Sequence, residues 1–122
     1  MEAFDTLKIA ANALNEKKGL NITAIKIGDL SIIADYMLLV TATSSTHVRA
    51  LADETEKKLS EAGVQPHHVE GKATGWILLD YNDVIIHVFS YEAREFYNLD
   101  RMWEDGQKLN MDTILDNVQE EE

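Results

Sequence analysis

The segment Trp76–Phe89 constrains this chain most. Two apolar runs, Trp76–Tyr81 and Val84–Phe89, flank Asn82-Asp83, a pair of residues suited to a tight turn. A β-hairpin follows. With Asn82-Asp83 at the turn, Tyr81 sits opposite Val84 and pairing runs outward to Trp76 opposite Phe89. Alternation then sorts the side chains. Ile77, Leu79, Tyr81, Val84, Ile86 and Val88 share one face, which is uniformly apolar and reads as core. Trp76, Leu78, Asp80, Ile85, His87 and Phe89 share the other. That face mixes large apolar groups with Asp80 and His87, so it is expected to be partly wet.

The chain leaves the hairpin through Ser90, a good helix cap, into Tyr91-Glu92-Ala93-Arg94-Glu95, with acids in the first turn as the helix dipole prefers. Residues 96–103 then bring three aromatics, Phe96, Tyr97 and Trp103, into eight positions. Trp and Tyr often dominate binding energy at interfaces. They also finish cores of small domains, and periodicity does not separate the two. The half-polar second face of the hairpin favours docking, with Trp76 and Leu78 as its anchors.

The rest of the chain supplies two helices before the hairpin and several strands. Residues 2–18 read as an amphipathic helix with Phe4, Leu7, Ala11 and Leu14 on one stripe and Gly19 as a left-handed stop. Ile22–Ile27 reads as a strand ending at Gly28-Asp29. Residues 30–35 are a short helical turn or an irregular link. Tyr36–Ala42 is continuously apolar, as a central strand covered on both faces would be. Thr43–Thr46 is a cluster of cap formers before a second helix, Thr46–Ala62, whose stripe is Val48, Leu51, Ala52, Thr55 and Leu59. Gly63 closes it. Pro66 lies in the link that follows, and Val69-Glu70-Gly71 reads as a short strand or its end. Lys72–Gly75 is a small-residue loop. Strand, helix, strand order implies a crossover and a partly parallel sheet. Residues 108–118 read as a loose helix, and Glu120–Glu122 as a solvated tail. One domain over 1–106 and an acidic tail over 107–122 are expected.

Composition then removes whole classes of function. There are 22 acidic and 11 basic residues, a formal charge of −11. Such a chain is repelled by phosphate backbones and anionic lipid, so no direct nucleic-acid grip is expected, and basic partners are favoured. Lys17-Lys18 and Lys57-Lys58 are isolated pairs beside acids. The chain has no cysteine, which excludes disulfides and thiolate chemistry. No apolar run approaches the roughly 20 residues of a membrane span. Glu2, Asp5 and Glu16 argue against a transit peptide, and a cytoplasmic location is expected.

Reactive constellations are weak. His47, His67, His68 and His87 lack metal-ligand spacing, so no metal is expected and His87 reads as a half-buried packing residue with one hydrogen bond. Asp29, Asp35, Asp80 and Asp83 fall near strand ends without a paired-acid motif. Ser44, Ser45 and Thr46 read as helix caps, with no nucleophile elbow. Neither a catalytic residue nor a cofactor is expected.

Three blocks together resemble the ribosomal silencing factor family, also called Iojap-like: residues 4–27, 35–53 and 70–103. The resemblance is carried by Asp35-Tyr36, Thr41-x-Thr43-Ser44-Ser45, Gly75-Trp76-x-Leu78-Leu79-Asp80, His87-Val88-Phe89 and Arg94-Glu95-Phe96-Tyr97-x-Leu99-Asp100-x-x-Trp103. It covers about residues 2–105. It implies an α/β fold, a mixed sheet flanked by helices and related to nucleotidyltransferases, without enzymatic activity. It further implies binding to the large ribosomal subunit through ribosomal protein L-fourteen, which blocks association with the small subunit and lowers translation when nutrients are scarce. Homodimers are implied as well. Carried over, the docking face would use Trp76, Leu78 and Tyr97, with Phe96 or Leu99 nearby. Asp80 and Glu70 would meet basic groups of the partner, and Arg49 would contribute from the second helix. The alternative is a degenerate nucleotidyltransferase-like enzyme using Asp80 and Asp83 with Mg²⁺. It lacks the Gly-Ser helix start and the acid pair of the related enzymes.

Overall fold

Sequence order is folded into one mixed sheet with unlike coverings on its two faces. A computed structural model describes residues 1–71 and 75–116. The elements are α1 (Ala3–Glu16), β1 (Leu20–Lys26), β2 (Tyr36–Ala42), α2 (Ser45–Glu61), β3 (His68–Glu70), β4 (Trp76–Asp80), β5 (Val84–Ser90), α3 (Tyr91–Tyr97), α4 (Leu99–Met102) and β6 (Gln107–Lys108). A 3₁₀ turn follows at Met111–Thr113. The strand order is β3-β4-β5-β2-β1-β6. Only β2 and β5 run parallel among the described strands, as the crossover through α2 requires. The expected α/β fold with a mixed sheet is the one observed.

The hairpin has the register its alternation dictates. Trp76 pairs with Phe89, Leu78 with His87 and Asp80 with Ile85. Asn82 supplies the left-handed residue of the turn at φ 70°, and its N–H donates to the Asp80 carboxylate at 2.8 Å. The uniformly apolar face meets α1 and α2. Leu7 and Leu14 of α1, Leu51 and Leu59 of α2, and Leu38, Ile77, Leu79, Ile86 and Val88 of the sheet are buried there. Each such side chain contributes roughly 1.5–3 kcal/mol relative to leaving it in water. The predicted α2 stripe is buried throughout, and Ser44 caps that helix by accepting the His47 N–H at 3.1 Å.

The other sheet face is drier than its composition suggested. Ile25, Ile27, Ala34, Met37, Leu39 and Phe89 form a second cluster, against which Trp76, Ile85, Ala93, Leu99 and Trp103 pack. His87, expected to be half-buried, is 5 % exposed. Residues 27–34, α3 and α4 cover this face where α1 and α2 cannot reach.

Three expectations are corrected. Helix α1 ends at Glu16, and Lys18, not Gly19, takes the left-handed conformation at φ 64°. Gly19 is required for a different reason: a Cβ there would lie 2.5 Å from Val40 Cγ2 and 3.1 Å from the Leu14 carbonyl. Phe4, placed on the buried stripe, is 41 % exposed and meets Tyr36 edge-on at 6.2 Å, while Thr6, Ala10 and Ala13 are buried instead. No loose helix occupies 108–116. Gln107–Lys108 pairs with β1, Ile114 is buried, and Asn12 bonds to both the Ile114 carbonyl and the Asp116 N–H. Residues 107–116 therefore belong to the packed domain rather than to a tail beginning at 107. The loop expected at Lys72–Thr74 and the acidic end Glu120–Glu122 lie outside the described residues.

Candidate partner-docking face

The site forms where β4 and α3 lean toward each other. Capping by Ser90, whose Oγ accepts the Ala93 N–H at 3.1 Å, fixes where α3 begins. Helical spacing then brings Glu92, Ala93, Phe96 and Tyr97 to one side of it. On β4, Trp76 and Leu78 stand on the same sheet face, two residues apart. Between the two elements lies a groove of about 670 Å³, lined by Trp76, Leu78, Ala93, Phe96 and Tyr97 with Glu70 and Glu92 also in its wall. Its floor is apolar and two of its members are carboxylates.

Trp76 is half-buried. Its indole stacks on Phe89 at 5.4 Å and 20°, and Tyr97 approaches to 4.4 Å. The indole N–H donates to His87 Nδ1 at 3.0 Å. Accepting at Nδ1 requires that nitrogen to carry no proton. Burial keeps the ring neutral by lowering the His87 pKa to about 4, and the indole donor selects the tautomer that carries its proton on Nε2. Phe96 meets Tyr97 edge-on at 5.0 Å and is 80 % exposed; Tyr97 is 48 % exposed. The wall is thus a graded aromatic stack, dry at Phe89 and His87, half-buried at Trp76, and wet at Tyr97 and Phe96.

The eight residues singled out from the sequence divide. Trp76, Leu78, Tyr97, Phe96 and Glu70 converge on the groove. Glu70 closes β3 and holds His68 Nε2 at 2.6 Å. Asp80 shares the Trp76 face, but sits at the far end of β4 and caps the hairpin turn. Leu99 packs into the second cluster beside Trp103. Arg49 lies on α2, in the layer covering the opposite sheet face, and is not brought to the groove. Glu92 and Ala93 escaped the sequence reading. Their signal was present: once Ser90 is the cap, positions 92, 93, 96 and 97 share a helix side.

Among the described residues, no three His, Asp or Glu side chains gather as a metal set. No helix among them is long and apolar enough to cross a membrane.

The family model described as ribosomal silencing factor during starvation matches residues 1–122. Ribosomal silencing factor RsfS of Halalkalibacterium halodurans is 32 % identical over 116 residues, spanning 94 % of this chain and 99 % of that one. The protein of the same name from Bacillus subtilis is 36 % identical over 113 residues, spanning 92 % and 96 %. A crystal structure of a Chromobacterium violaceum protein superposes with a TM-score of 0.83 at 34 % identity, covering 90 % of this chain and 92 % of that one. Matched end to end by that model, and sharing about a third of its residues with named members over nearly its full length, the chain belongs to the ribosomal silencing factor family.

Proposed function

We propose that this chain docks on the large ribosomal subunit through ribosomal protein L-fourteen, and so keeps the small subunit from joining. The observation that carries the reading is the groove between β4 and α3: an exposed aromatic wall and Leu78 beside the carboxylates of Glu70 and Glu92. Such a surface suits a partner with an apolar patch set among basic groups. Long-range attraction between a chain of charge −11 and a basic ribosomal protein speeds encounter. Burial of the Trp76 indole edge, Tyr97 and Leu78 then sets how long the complex lasts. A standard interface of about 800 Å² per partner suffices. The mechanism is occupancy: two bodies cannot share one contact surface. It needs no chemical step, so the chain acts as a translational repressor rather than an enzyme. It works in the cytoplasm when nutrients are scarce, and free copies pair as homodimers.

Sedimentation of purified ribosomal subunits tests this. Wild-type protein is expected to travel with the large subunit and to reduce the yield of joined ribosomes. Trp76→Ala is expected to weaken binding by about 2 kcal/mol or more, roughly 30-fold, while far-ultraviolet circular dichroism shows the fold retained. Unchanged binding by that variant would remove the groove from the interface.

A further inference from the structure

Helix α3 carries the outer wall of the groove, yet it has little to hold it in place. It is seven residues long and none of its side chains is buried. A helix that short has no independent stability, and the apolar contacts of Ala93 and Tyr97 are too small to fix its angle to the sheet. One side chain does. Arg94 has five N–H donors, and all five are used. Nε donates to Asp100 Oδ2 at 3.0 Å and Nη2 to Asp100 Oδ1 at 2.8 Å. Nη2 also donates to Thr23 Oγ1 at 3.0 Å. Nη1 donates to Thr41 Oγ1 at 3.0 Å and to the Asn21 carbonyl at 2.7 Å.

The acceptors come from three elements: β1, β2 and α4. Local backbone features deliver two of them. The β1–β2 register shifts between Leu20 and Thr23, and Asn21 there is left-handed at φ 50°. That irregularity releases the Asn21 carbonyl from the ladder and makes it available to the guanidinium. Asn98, also left-handed at φ 50°, ends α3 and opens α4, which brings Asp100 back to Arg94 six residues on. The paired charges are only partly solvated, with side chains 12 % and 35 % exposed. A planar fork with five donors is a geometry lysine cannot reproduce.

We propose that Arg94, through Asp100 and the β1–β2 acceptors, is a positioning residue for the docking face. It holds α3 at the angle where Tyr97 packs on Trp76 and Phe96 stands at the groove mouth. Because its donors are saturated, Arg94 acts through those aromatics and not by touching the partner. This rests on the groove being the docking surface, so the test carries a control for that reading.

Large-subunit binding is measured for R94K, Y97A, R94K/Y97A and W76A, with amide hydrogen exchange on each free protein. R94K is expected to bind at least about tenfold more weakly. Amides of residues 94–98 should exchange at least about tenfold faster while those of β2 and β5 keep their protection. In the Y97A background, R94K should add less than about threefold, since the residue it positions is gone; a general structural role would give the full tenfold again. Wild-type binding by R94K beside weak binding by W76A overturns the positioning role alone. Unchanged binding by W76A overturns the docking reading and this proposal with it. Should R94K fail to fold, D100N replaces it: faster exchange at 94–98 with weaker binding supports the clamp, and no change in either overturns it.

Discussion

Trp76 is held by its ring neighbours Phe89 and Tyr97, and His87 fixes its indole N–H. The imidazole accepts the indole N–H from a site only 5 % exposed to water. Protonating it would cost that acceptor and bury a charge. The folded pKa, lowered to about 4 by burial, lies below the ordinary 6.5. The unfolded chain therefore binds the proton first as pH falls. Stability from this residue is fully present above about pH 6.5 and drains away down to about pH 4, by up to about 3 kcal/mol. Urea unfolding from pH 7.5 to pH 4 is expected to show that slope, and His87→Leu is expected to flatten it relative to wild type. At this level alternation and capping are enough to put Trp76 and Leu78 on one strand face and Phe96 and Tyr97 on one helix side, where they line the same groove. Leu99 and Arg49 are set by where whole helices lie, which no local spacing encodes.

Elements long enough to show a period were legible. The hairpin register and the α2 stripe follow from repeats of two and 3.6 residues over many positions. Strand β6 has two residues and no period, and its place beside β1 comes from backbone pairing that leaves no mark on side-chain type. The α1–β1 junction is a related case. A glycine after a helix suggests a left-handed stop, but Gly19 is needed for space: the chain turns so closely under β2 that a Cβ would overlap Val40. His47 ties the same corner, donating from Nε2 to the Lys17 carbonyl at 2.8 Å and accepting the Thr43 N–H at 2.9 Å. With that corner pinned, Gly19→Ala cannot be absorbed by moving α1 away. It is expected to cost about 1–3 kcal/mol, read as a lower urea midpoint at unchanged slope.

Across the molecule, charge and shape divide the labour. Twice as many acids as bases give a field that extends about a Debye length, roughly 8 Å at physiological salt. In the proposed complex the groove supplies contact at closer range. Association with the large subunit is therefore expected to slow steeply as salt rises, while dissociation changes little. Stopped-flow mixing at increasing ionic strength checks this; an association rate that does not fall with salt would mean that charge plays no part in encounter.

Local rules were sufficient for the longer elements: apolar periods, caps and turns specify α1, α2, the hairpin and the central strand. The groove between β4 and α3 is another matter. It exists because two short elements, neither able to stand alone, are brought side by side on one face of the sheet. Its outer wall is set by a guanidinium reaching Asn21, Thr23 and Thr41, some 53 to 73 positions earlier in the chain. Hydrogen bonds over such separations depend on the sheet being closed first, so their geometry follows from the packed molecule and not from neighbouring residues.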